Sequence, residues 1–155
     1  MPEAPVREVI RWEELGEAAQ VLAEQVRESG FAPDIVLAIA RGGLLPGGAL
    51  GYALGIKNTF SISVEFYTGV DERLPMPLVL PPVPVLNDLA DKKVLIVDDV
   101  ADTGLTLQVV EDFCRGDVAE TRIACLYEKP RSVVKCDYAW RRTDHWITFP
   151  WSGDD

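Results

Sequence analysis

At 155 residues and 48% hydrophobic content, the chain has the size of one ordinary domain and enough apolar mass to fill its core. A formal charge of -10 argues against broad attraction to nucleic acid or anionic lipid, so any phosphate must be held locally by backbone amides and a few cations. Cys114, Cys125 and Cys136 are odd in number and lack CxxC or Cys/His ligand spacing, which argues against a disulfide framework or a zinc site and suits a reducing cytoplasm.

The first residues, "MPEAPVREVIRWEEL", lack the basic start and apolar run of a signal peptide. The longest charge-free stretch, Gly42 to Ile56, is broken by Pro46 and several glycines and is too short to span a membrane. The expectation is a soluble cytoplasmic protein with neither membrane nor nucleic acid as a partner.

Trp12 to Ser29 carries Leu15, Ala18, Ala19, Leu22 and Val26 at helical spacing, with Gly30 as the stop. Asp34 to Ala40 is a continuous apolar run, as expected of a strand covered on both faces. "RGG" follows as a loop, and "LLPGGALGYALG" then predicts a small-residue helix with Pro46 in its first turn. Thr59 to Tyr67 alternates like a strand. The stretch from Thr68 to Pro84 holds Pro75, Pro77, Pro81, Pro82 and Pro84 and predicts a mobile excursion from the sheet, placed to act as a lid.

Val94 to Asp98 predicts a second buried strand, and "DTGLTLQVVEDFC" a loop and helix. Thr121 to Tyr127, Tyr138 to Trp140 and His145 to Phe149 add strands. Alternating elements of this kind predict an α/β fold, a mostly parallel sheet flanked by helices, built as a single domain over residues 1–155.

Ligands in such folds sit beyond the carboxyl ends of the strands. Asp98 and Asp99 end one buried strand, and Arg41, Gly42 and Gly43 follow another, so both loops open onto one cleft. Asp102, Thr103, Gly104, Leu105 and Thr106 enter a helix whose free N–H groups and positive dipole end suit a phosphate. Three acids this close repel one another unless sugar hydroxyls or a hydrated magnesium ion face them.

"VLIVDDVADTGLTL" resembles the phosphoribosyl pyrophosphate motif of the type I phosphoribosyltransferases, and "IARGGLLP" resembles their pyrophosphate loop. Within that family, "YEKP" and "DHWITFPW" make the chain most similar to the short bacterial xanthine-guanine and other 6-oxopurine enzymes. The resemblance covers nearly the whole chain. It departs at "SVEFYTG", where Phe66 precedes Tyr67 and many 6-oxopurine enzymes have a Ser-Tyr pair.

The resemblance implies a type I phosphoribosyltransferase fold with a small hood formed largely by the C-terminal segment, residues 144–151. It implies that Asp98 and Asp99 bind the ribose hydroxyls, directly or through Mg2+, and that Asp102 to Thr106 hold the 5′-phosphate. Arg41, Gly42 and Gly43 would hold pyrophosphate in a loop with a non-proline cis peptide. Asp102 would serve as general base near purine N7, Lys129 would contact O6, and Trp146 and Ile147 would form the base pocket. The implied reaction transfers phosphoribose from phosphoribosyl pyrophosphate to N9 of guanine, xanthine or hypoxanthine in purine salvage, by a homodimer or homotetramer.

Two other readings stand beside it. One is a non-catalytic sensor of phosphoribosyl pyrophosphate; the other is a transferase for a different base.

Overall fold

The computed structural model describes residues 6–67, 76–80 and 86–152. The chain order is β1 (Arg7–Val9), α1 (Trp12–Glu28), β2 (Ile35–Ala40), α2 (Leu44–Leu54), β3 (Thr59–Tyr67) and β4 (Met76–Leu80). It continues through α3 (Leu86–Leu89), β5 (Lys93–Ala101), α4 (Leu105–Cys114), β6 (Glu120–Glu128), β7 (Tyr138–Arg142) and β8 (Trp146–Thr148).

Six strands form one sheet in the order β4-β3-β2-β5-β6-β7. Every pairing in it is parallel except that of β4 with β3. β1 and β8 form a separate parallel pair, with Arg7 opposite Trp146 and Val9 opposite Thr148.

The uninterrupted apolar runs of β2 and β5 follow from having a core on each side. Successive side chains point to opposite faces. Ile35, Leu37, Ile39, Val94 and Ile96 pack with Leu107, Val110 and Cys114 of α4. Val36, Leu95 and Val97 pack with Leu15, Ala18, Leu22 and Val26 of α1 and Leu50 of α2. A parallel strand between two helical layers therefore shows no polar alternation.

Local signals set the helix ends. The Arg11 N–H donates to Glu14 at 3.2 Å as α1 begins, and Gly30, with φ 80°, follows its last turn. A Cβ on Gly47 would lie 2.8 Å from that of Ala38, so the missing side chain sets how close α2 approaches β2.

Some elements differ from expectation. β5 does not stop at Asp98 but continues through both acids to Ala101, because β6 is equally long and pairs with it as far as Ala101 opposite Glu128. Within the anticipated 68–84 excursion, Met76–Leu80 is instead an edge strand antiparallel to β3, with Pro77 opposite Phe66. An edge position tolerates a residue that cannot donate to a ladder. The rest of that excursion, 68–75 and 81–84, lies outside the described residues. In the hood, β8 of the C-terminal segment pairs with β1. Among the described residues, no helix is long and apolar enough to cross a membrane.

Candidate active site

A cleft of about 830 Å³ opens beyond the carboxyl ends of β2, β5 and β6, under the hood. Arg41, Gly42, Asp99, Asp102, Lys129, Trp146 and Ile147 line it together. Asp98, Gly43, Thr103, Gly104, Leu105 and Thr106 are not on its wall, though they lie in the loops and strand ends that build it.

The loop after β2 has a cis peptide between Ala40 and Arg41. Gly42 lies so close to β5 that a Cβ there would collide with the Asp99 carboxylate. Gly43 begins α2, and its N–H donates to Ile39 O at 2.7 Å. That amide is already engaged, so Arg41 and Gly42 are left as the loop's groups facing the cleft.

Asp98 and Asp99 are half-buried neighbours on one strand. The Asp99 N–H donates to Asp98 Oδ1 at 2.8 Å, and the Val100 N–H donates to Asp99 Oδ1 at 2.7 Å. Loss of hydration and then the charge of Asp99 push the Asp98 carboxyl well above its ordinary range. Desolvation also raises Asp99, opposed by hydrogen bonds that include the one from the Val100 N–H. Both shifts disfavour charge on the pair, and a cation or hydroxyl donors placed before it would favour the ionised form. Among the described residues, no group of three or more His, Cys, Asp or Glu side chains gathers as a metal cage. Two hard carboxylates completed by substrate oxygens and water suit magnesium, which seldom requires an all-protein cage.

The turn from Asp102 to Gly104 leads into α4. Gly104 has φ 83°, and a Cβ there would lie 2.5 Å from Ser132 Oγ and 2.9 Å from the Val133 nitrogen. Only glycine combines that conformation with that proximity. The helix ladder starts with Gln108 N–H to Gly104 O at 3.0 Å, which leaves the amides of the preceding turn outside the helix ladder. The Leu105 N–H reaches Thr103 Oγ1 at 3.3 Å. From the other side, the Val133 N–H donates to Thr103 O at 2.8 Å, tying the loop after β6 to this turn.

Lys129 follows β6, and only 11% of its side chain is exposed. Its Nζ lies 3.6 Å from Asp102 Oδ1 and 5.6 Å from the centroid of the Trp146 ring. The cleft therefore gathers an ammonium, a carboxylate and an aromatic face together with Asp99 and Arg41.

The phosphoribosyl transferase domain family matches residues 6–154. The chain belongs to this family. It is similar to the xanthine-guanine phosphoribosyltransferase of Gluconobacter oxydans (strain 621H), with 31% identity over 144 residues, covering 92% of this chain and 82% of that protein. The purine phosphoribosyltransferase structure from Pyrococcus horikoshii Ot3 superposes with a TM-score of 0.86 at 40% identity, covering 96% of each chain. A Neisseria gonorrhoeae protein with bound ppGpp gives a TM-score of 0.81 at 25% identity over 99% of this chain and 93% of that one.

In this phosphoribosyl transferase domain, more residues stand around the cleft than the motifs display. Trp151 lines the cleft and stacks on Phe149 with centroids 5.0 Å apart and planes at 12°, with Trp12 of α1 5.9 Å away. Arg131 donates from Nε to Asp102 Oδ1 at 2.8 Å. The sequence signal for Trp151 is the aromatic spacing of "WITFPW"; that for Arg131 is a second cation two residues after Lys129. His145 is 3.4 Å from Glu8 and 3.5 Å from Asp144, on the hood and off the cleft wall.

Proposed function

We propose that this phosphoribosyl transferase moves the 5-phosphoribosyl group of phosphoribosyl pyrophosphate to N9 of a 6-oxopurine, releasing pyrophosphate, in purine salvage. The observation that carries the base class is Lys129. A largely desolvated ammonium offers only donors, so it complements an exocyclic oxygen and opposes the amino group of adenine. Trp146 supplies a stacking face beside it and Ile147 a main-chain wall.

In this reading, Asp98 and Asp99 receive the ribose hydroxyls, and the amides from Asp102 to Thr106 receive the 5′-phosphate at the start of α4. Arg41 and the Gly42 amide hold pyrophosphate, while Gly43 contributes by seating the loop on β2. The bond from C1 to the pyrophosphate oxygen breaks as purine N9 forms its bond to C1. Asp102 faces N7 and assists loss of the purine proton. Arg41 stabilises charge that accumulates on the leaving group. Mg2+, held by Asp98 and Asp99 with the substrate's oxygens, would neutralise further charge on the pyrophosphate.

Residues 1–155 act as one domain with 144–151 closing over the base, in the cytoplasm, as a homodimer or homotetramer. Three buried free cysteines suit that compartment.

The test is pyrophosphate release from phosphoribosyl pyrophosphate and Mg2+ with guanine, hypoxanthine, xanthine, adenine and uracil in parallel. Turnover with a 6-oxopurine that falls at least about a hundredfold in Asp102→Asn is expected. Turnover with adenine or uracil alone would overturn the base class, and binding without turnover of any base would favour the sensor.

A further inference from the structure

Arg131 stands outside the residues to which the motifs give a role, yet it makes the closest contact with the central carboxylate of the cleft. Its Nε donates to Asp102 Oδ1 at 2.8 Å, and Nη2 reaches the same oxygen. The Lys129 ammonium lies 3.6 Å from that oxygen as well. Two cations therefore converge on Oδ1, which leaves Oδ2 to meet a proton on a ligand.

The arrangement bears on Lys129 too. A lone ammonium beside a lone carboxylate closes on it, because opposite charges in a partly desolvated cleft attract strongly at this range. With a guanidinium already on Oδ1, Lys129 keeps its longer separation and its position over the Trp146 ring. Arginine suits this task, since a rigid fork fixes the carboxylate plane where a flexible ammonium cannot.

The contact does not hold the loop in place. The Val133 N–H to Thr103 O bond and the seat of Ser132 against Gly104 already join the two loops. The Arg131 side chain is 64% exposed and that of Asp102 40%, a degree of exposure at which an ion pair contributes little to folding.

We infer that Arg131 is a positioning residue for the base: it holds Asp102 by Oδ1, turns Oδ2 toward the purine imidazole edge, and keeps Lys129 free for the six-position oxygen. This rests on the proposed roles of Asp102 and Lys129.

The test compares wild type with Arg131→Met and Arg131→Lys in two assays. In steady-state turnover with the preferred purine, Arg131→Met is expected to lower kcat by about tenfold or more while KM for phosphoribosyl pyrophosphate stays within about twofold. Arg131→Lys should recover part of the loss. In calorimetric titration, Arg131→Met should bind guanosine 5′-monophosphate about tenfold more weakly yet bind ribose 5-phosphate as wild type does.

Unchanged kcat and unchanged monophosphate affinity would overturn the inference. An equal loss for ribose 5-phosphate would also overturn it, by showing that Arg131 shapes the phosphate turn instead. Absence of purine turnover by wild type would count against the functional reading alone, because the two titrations still decide whether Arg131 serves the base.

Discussion

Only 5% of Glu128 reaches solvent, and its oxygens are divided between the Cys136 N–H and Arg142 Nε, the latter at 2.9 Å. Burial alone would raise its pKa. The Cys136 amide and the Arg142 guanidinium outweigh burial and hold the carboxyl below the ordinary glutamate range. One side chain thus anchors both the end of β7, at Arg142, and the loop that runs from Lys129 and Arg131 to Cys136. Glu128→Gln should unfold in urea at neutral pH with about 2 kcal/mol less stability. The folded-state pKa is the lower one, so this contribution is complete above the ordinary value of about 4.5 and is lost as pH falls through the folded value. The gap between wild type and variant should therefore narrow as pH falls through the folded value, and a gap of constant size would refute the assignment.

Among the elements, the loop after β2 and the end of β5 act as one unit because Gly42 has no side chain. Gly42→Ala would drive a methyl group into the Asp99 carboxylate, which can move only by leaving its bond to the Val100 N–H. Affinity for phosphoribosyl pyrophosphate with Mg2+ should fall by about tenfold or more in calorimetry, with the thermal midpoint nearly unchanged. Wild-type affinity in that variant would mean the two loops do not share a ligand.

Both of these loops are legible in the sequence because their chemistry is contiguous: Arg-Gly-Gly after one apolar run, and Asp-Asp with Asp-Thr-Gly after another. What escapes the sequence has physical reasons. β1 is three residues long, too short for a period of two to register. In β4, Pro77 reads as a breaker until the strand is known to lie at an edge. β5 runs past Asp98 only because its partner β6 does, a property of the pair rather than of either segment. The contacts of Arg131 with Asp102 and of Trp151 with Trp12 join positions distant in the chain, which no local pattern records.

At the scale of the molecule, all three cysteines lie in the layer between the sheet and α4, or at its margin. Burial pushes the Cys114 thiol up to about 11, and Cys125 is raised by its contact with Cys136 and by burial. At Cys114 and Cys125 the thiolate, the reactive form, is therefore scarce as well as inaccessible. An aromatic disulfide reagent at neutral pH should label the native protein no faster than it opens, with all three sites reacting together in denaturant. Rapid reaction of one thiol in the native state would place that cysteine outside the core.

The pairing of β1 with β8 joins the two most distant strands of the chain into one wall. On the ribosome β1 emerges before the Arg41 loop and the Asp102 turn, and its partner β8 only after them. A growing chain therefore carries both loops of the cleft before the ladder above them can close.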